Sequence, residues 1–185
     1  MKEKKIIGFC GLPGSGKSTA LEAVENLGEV IIMGDVVRNE ASNRDIKPSD
    51  KNLGKIAKEL REEEGPTVIA KRCIEEIKDS KNNVFFIDGL RSVAELQEFR
   101  KHWDFPLINI SLKEGTRIKR IKERGRKDDS QDIKEIKRRE EREKGFGLEK
   151  LLEKADYEII NNSTKAILKQ KTRNLVQEIL KKERK

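Results

Sequence analysis

Residues Gly11-Leu12-Pro13-Gly14-Ser15-Gly16-Lys17-Ser18, followed by Thr19, constrain this chain more than any other feature. The spacing is G-x-x-x-x-G-K-[ST]. Its glycines let the backbone curl so that successive N–H groups point inward, a concavity that suits phosphate oxygens. Such a loop needs a strand before it and a helix after it. Lys5 to Cys10 is a short apolar run that reads as a buried strand, and Lys17 to Leu27 carries Ala20, Leu21, Val24 and Leu27 at helical spacing before Gly28 ends it. The helix adds the positive end of its dipole to the loop. Lys17 is then placed to reach β- and γ-phosphates, and Ser18 to offer its hydroxyl to Mg²⁺, with Thr19 nearby. ATP and Mg²⁺ are the expected cofactors.

The rest of the chain supports that context. Val30–Met33, Val84–Asp88, Leu107–Leu112 and Tyr157–Ile160 read as further strands. Between them, helical stretches are expected from Asp35 toward Pro48, then over Asn52–Glu64, Thr67–Asp79, Ser92–His102, Thr116–Arg124, Asp132–Lys144 and Leu148–Lys154, with Thr164–Leu180 closing the chain. Strands alternating with helices imply a parallel sheet covered on both faces. The fold expected is therefore a P-loop NTPase, a three-layer α/β/α arrangement around a five-stranded parallel sheet. The 185 residues suit one domain, with residues 39–80 as a small helical acceptor-binding insert and 117–144 as a short Arg-rich lid.

Composition narrows the class. Charged residues make up 41% and apolar residues 34%, with a formal net charge of +8. The regular apolar runs argue for a charged surface over a compact core, not for disorder. Two cysteines, Cys10 and Cys73, suit a reducing compartment. His102, the only histidine, has no metal-ligand spacing around it. No signal peptide or membrane span is evident, so a cytoplasmic protein is expected, acting as a monomer or homodimer.

Ligands of open parallel sheets bind beyond the C-terminal strand ends, and three features lie there besides the loop. Asp88 ends the third strand, where an acid either holds the Mg²⁺ shell or simply caps a helix. Arg38 in Gly34-Asp35-Val36-Val37-Arg38, and Arg91 in Asp88-Gly89-Leu90-Arg91, could clamp a second phosphate by bidentate hydrogen bonds. The run Arg117, Arg120, Arg124, Arg126, Arg138, Arg139, Arg142 reads as a hinged flap whose cations surround a transferring phosphoryl group. A solvated hairpin and an RNA-binding patch are the other readings of this run. Interleaved acids and the lack of aromatics count against RNA, so nucleic acid is an unlikely partner.

In this order the motifs resemble adenylate kinase and its nucleoside monophosphate kinase relatives, and the whole chain resembles an archaeal family of adenylate-kinase-related P-loop proteins. Gly34-Asp35-Val36-Val37-Arg38 looks like that family's T-G-D-x-x-R, with Met33 in place of Thr. Asp88-Gly89-Leu90-Arg91-Ser92 looks like its D-G-F-P-R-T, with Leu90 in place of Pro. Arg120 to Asp129 is similar to a short kinase lid, and Ala155 to Asn161 to the final strand with its adenine-side loop. The resemblance implies phosphoryl transfer from ATP·Mg²⁺ to a nucleoside monophosphate, AMP first. Lys17, Arg38, Arg91, Arg120 and Arg126 would act in catalysis, and Gly34, Asp35, Arg38, Gly89, Arg91 and Glu95 would bind the acceptor. Glu95 falls where adenylate kinases carry a base-reading Gln, and could accept from an adenine amino group. A dephospho-coenzyme A or other hydroxyl kinase with Asp35 as base, a non-catalytic adenine-nucleotide sensor, and an RNA-associated ATPase are the rival readings.

Overall fold

The computed structural model describes residues 4–124 and 133–182. Its strands are β1 (Lys5–Cys10), β2 (Glu29–Ile32), β3 (Val84–Asp88), β4 (Leu107–Ser111) and β5 (Tyr157–Ile160). They form one five-stranded sheet in the order β2-β3-β1-β4-β5, every pairing parallel. The helices among the described residues are α1 (Lys17–Glu22), α2 (Met33–Asn43), α3 (Asp50–Glu64), α4 (Val68–Asp79), α5 (Val93–Arg100), α6 (Glu114–Arg124), α7 (Ile133–Gly145), α8 (Leu148–Leu152) and α9 (Lys165–Lys181).

The apolar run of β1 is continuous because the central strand is buried on both faces. Its side chains alternate between two cores. Ile6 and Cys10 join Phe85, Ile87 and Leu107 under α2, α3, α4, α5 and α8. Ile7 and Phe9 join Phe86, Ile108 and Ile110 under α1 and α9. Residues 39–80 belong to the first of these cores, through Ala41, Ile56, Leu60 and Ile74. None of the described helices is long and apolar enough to cross a membrane.

Several boundaries differ from the sequence reading, those of α1, β2 and α2 most. Helix α1 stops at Glu22, because the chain then tightens into three-residue turns, with Ala23 N–H donating to Ala20 O at 3.1 Å and Leu27 N–H to Val24 O at 2.8 Å. Strand β2 stops at Ile32, and Met33 opens α2 instead of ending the strand. An apolar run this short has no period that separates strand from buried helix. Asp35 consequently sits in the first turn of α2, not at its cap. Elsewhere side-chain caps set the helix starts: Ser49 Oγ accepts from Asn52 N–H at 3.3 Å, Ser92 Oγ from Glu95 N–H at 3.1 Å and Thr164 Oγ1 from Ile167 N–H at 3.3 Å.

Candidate phosphate-binding loop and adjoining cleft

The loop leaves the C-terminal end of β1, the central strand, and feeds directly into α1. Its glycines take the left-handed conformations the sequence called for, with φ of 146° at Gly11, 79° at Gly14 and 107° at Gly16. Lys17 Nζ donates to the Gly11 carbonyl at 2.7 Å, so the ammonium folds back over the loop. The Ser15 hydroxyl is buried in the loop with no protein hydrogen-bond partner. Burying a hydroxyl without a partner is costly, and a phosphate oxygen in the loop would satisfy it. Cys10, immediately before the loop, has its thiol pushed up to about 12 by burial, with Lys17 pulling weakly the other way. It is therefore a neutral packing group.

Two contacts from distant parts of the chain brace the loop. Asn161, just past β5, is 2% exposed and donates from Nδ2 to Ser15 O at 2.7 Å. Arg117 on α6 is 3% exposed and donates from Nη1 to Pro13 O at 3.1 Å. Arg117 also pairs with Glu140 on α7, at 2.9 Å. Helices α6 and α7 are thus tied to the phosphate loop through one buried guanidinium.

Asp88 ends β3 in register with Phe9 of β1. Its Oδ1 is buried and has no protein hydrogen-bond partner. Among the described residues no group of three or more His, Cys, Asp or Glu side chains could hold a metal by itself. Mg²⁺ keeps most of its waters and takes few protein ligands beside substrate phosphates, and the buried, unpartnered Asp88 Oδ1 fits such a site.

Beside the loop, at the same sheet edge, lies a cleft of about 60 Å³. Gly34, Arg38, Gly89 and Arg91, four of the residues expected to bind an acceptor, line it. So do Arg142, from the expected lid, and Arg61, which the sequence reading did not single out. Every arginine here has a carboxylate partner. Arg38 pairs with Asp35 at 2.6 Å, Arg61 with Glu95 at 2.7 Å, Arg91 with Glu143 at 3.3 Å and Arg142 with Asp50 at 2.9 Å. At this volume the cleft holds a few waters. The Arg142–Asp50 ion pair at this cleft joins α7 to α3.

Three expected site residues stand differently. Glu95 is fully buried, with Oε1 taken by Arg61 and Oε2 accepting from the Arg91 backbone N–H at 2.8 Å. It faces protein instead of a ligand base, because a carboxylate without solvent needs charged or N–H partners. Arg120 is half-buried on α6 and does not line the cleft. Arg126 lies outside the described residues. The loop-bracing role of Arg117 left a trace in the sequence: it stands four residues before buried Ile121, on the apolar stripe of α6. Arg61 and Glu143 were missed as site residues, and one sequence displays no signal for them; Asn161 was read only as the end of the segment resembling the final strand and its adenine-side loop.

A phosphate-binding loop at the end of the central strand of a five-stranded parallel sheet, with an arginine-lined cleft beside it, defines a P-loop, kinase-like nucleotide-binding fold. The dephospho-CoA kinase from Campylobacter jejuni shares that fold, with a TM-score of 0.59 and 21% sequence identity over 95% of this chain and 97% of that one. The chain belongs to the AAA domain family AAA_18, which matches residues 7–144, and within it to the UPF0200 proteins. It is 44% identical over 184 residues to the UPF0200/UPF0201 protein of Archaeoglobus fulgidus, covering 97% of this chain but only 57% of that longer protein. It is 42% identical over 168 residues to a UPF0200 protein of Methanosarcina barkeri, covering 89% and 90% of the two chains.

Proposed function

We propose that this protein moves the γ-phosphoryl group of ATP to a phosphate oxygen of a small phosphorylated acceptor, in the manner of a nucleoside monophosphate kinase. The observation that carries the reading is the juxtaposition at one sheet edge of a phosphate loop and a cleft lined by Arg38 and Arg91.

The chain's own groups have distinct tasks in this reading. The loop N–H groups from Gly14 to Thr19 hold the donor phosphates, and Lys17 leaves the Gly11 carbonyl to meet charge on the transferring group. Arg38 and Arg91 orient the acceptor phosphate by bidentate hydrogen bonds. Ser18 and Asp88 would hold Mg²⁺, which would supply positive charge against the donor phosphates. An acceptor phosphate oxygen is already a nucleophile, so no protein base is needed. It bonds to the γ-phosphorus as the bond to the bridging oxygen breaks, and ADP leaves. Positioning and charge neutralisation supply the rate.

The test follows ADP formation with ATP·Mg²⁺ and each common nucleoside monophosphate in turn, with dephospho-coenzyme A as the hydroxyl acceptor. Fast turnover that Lys17→Ala abolishes, with a monophosphate acceptor, is the expected result. Tight nucleotide binding with no turnover on any acceptor points instead to a nucleotide sensor. Transfer to dephospho-coenzyme A alone points to a hydroxyl kinase.

A further inference from the structure

The lining of the cleft is rich in hydrogen-bond donors. Arg38, Arg61, Arg91 and Arg142 line it, against Asp50 as the one acid in the lining. A guanidinium donates hydrogen bonds and accepts none. Arg38 and Arg91 are accounted for by a phosphate. Arg61 is not.

Arg61 comes from α3 and is fixed on three sides. Its Nη1 donates to Ala57 O at 2.9 Å, its Nη2 to Glu95 Oε1 at 2.7 Å, and its Cζ lies 4.6 Å from the Phe146 ring centroid. Its side chain is 12% exposed, on the cleft. Glu95 spans from Arg61 to the backbone of Arg91, so Arg61 stands one carboxylate away from the arm expected to grip phosphate. The Glu95 carboxylate is turned into the protein, and Arg61, held against it, is among the residues that line the cleft.

Arg142 extends the donor surface. Its Nη2 lies 2.9 Å from each oxygen of Asp50, and its Nε is buried without a hydrogen-bond partner. It fits there because residue 54 is glycine: a Cβ at Gly54 would come within 2.9 Å of Nε. Among such groups a buried exocyclic amine finds one carboxylate in the lining, Asp50, whose two oxygens already accept from Arg142, and competes with that arginine for the hydrogen bonds it had in water. A ring carbonyl oxygen gains them, and a purine with adjacent O6 and N7 acceptors matches the guanidinium fork.

We infer that the cleft selects an acceptor with a ring carbonyl oxygen, read by Arg61, over its amino counterpart: a 6-oxopurine or 4-oxopyrimidine monophosphate, not AMP or CMP. This deepens the phosphotransfer reading and rests on its placing of the acceptor phosphate at Arg38 and Arg91.

Two matched pairs test it, because IMP differs from AMP, and UMP from CMP, by a ring carbonyl beside an N–H against an amine beside an acceptor nitrogen. Calorimetric binding to the full chain is measured for all four, in wild type, in Arg61→Lys and in Arg61→Met/Glu95→Gln. The double variant avoids leaving Glu95 buried and unpaired, and circular dichroism checks that each variant folds. The expected result is about tenfold tighter binding of IMP than AMP and of UMP than CMP, collapsing toward equality in the double variant. Equal binding within each pair, a preference that survives loss of Arg61, or no binding of any of the four overturns the inference. Phosphoryl transfer on the same panel separates the two readings. Oxo-selective binding without turnover upholds the inference and sinks the kinase assignment, and best turnover on AMP does the reverse.

Discussion

Arg117 on α6 and Glu140 on α7 form a two-armed ion pair at 2.9 and 3.3 Å, and the same Arg117 Nη1 donates to the Pro13 carbonyl at 3.1 Å. One guanidinium, 3% exposed, therefore joins α6 and α7 to the phosphate loop. Removing only the acid leaves a buried cation unpaired, so Glu140→Ala is expected to cost about 3 kcal/mol of stability. The Arg117→Met/Glu140→Leu double variant is expected to cost less than either single change, because it removes both charges together. Urea denaturation of the three variants measures this, and additive losses would show that the two side chains are not coupled.

The loop depends on a residue at the far end of the sheet. A Cβ at Gly16 runs into the Asn161 side chain, and Gly16 holds φ 107°. Gly16→Ala is expected to destabilise the protein by about 1–3 kcal/mol and to weaken nucleotide binding sharply. Asn161→Ala loses the bond to Ser15 O and is expected to cost about 1 kcal/mol. Thermal unfolding with and without ADP·Mg²⁺ reads both effects. Unchanged nucleotide stabilisation of Gly16→Ala would mean the loop geometry is not what binds.

Lys17 Nζ donates to the Gly11 carbonyl at 2.7 Å. Replacing it by alanine removes one cation from the transfer site and little packing. Phosphoryl transfer is expected to fall about 10²–10³-fold, with the unfolding midpoint little changed. A variant that is equally slow but largely unfolded would make Lys17 structural.

Burial pushes the thiols of Cys10 and Cys73 from an ordinary 9.0 up to about 12. Both groups are held neutral in the folded protein. Their contribution is fully present below pH 9 and is lost as pH rises from about 9 toward 12, where the unfolded chain releases protons the folded one keeps. Stability should therefore decline across that window, and the decline should flatten in Cys10→Ala/Cys73→Ala, whatever that variant loses in packing. Neither thiol should react with a disulfide reagent at neutral pH until the protein unfolds. Fast labelling of either in the native state would contradict their burial.

Much of the fold was legible in the sequence. Each strand was found to within a residue or two, because buried parallel strands read as unbroken apolar runs, and Ser49, Ser92 and Thr164 cap the helices they precede. The exceptions were short: the end of α1 and the start of α2 fall where a few apolar residues fit a strand, a turn or a helix equally well. For the site, the loop was legible residue by residue and Arg38 and Arg91 came to the cleft as expected, whereas Glu95 went elsewhere.

The sequence by itself determined the phosphate loop, the alternation of strand and helix, and the sheet edge where a ligand lies. These rest on local rules: glycine's left-handed freedom, the period of apolar residues, the polarity of a helix end. The tertiary structure alone decided which carboxylate each arginine meets. Arg61 and Glu95 are 34 positions apart, and Arg142 and Asp50 are 92 apart. A buried charge takes whichever opposite charge the packing brings within reach, and no local rule in the chain names that partner.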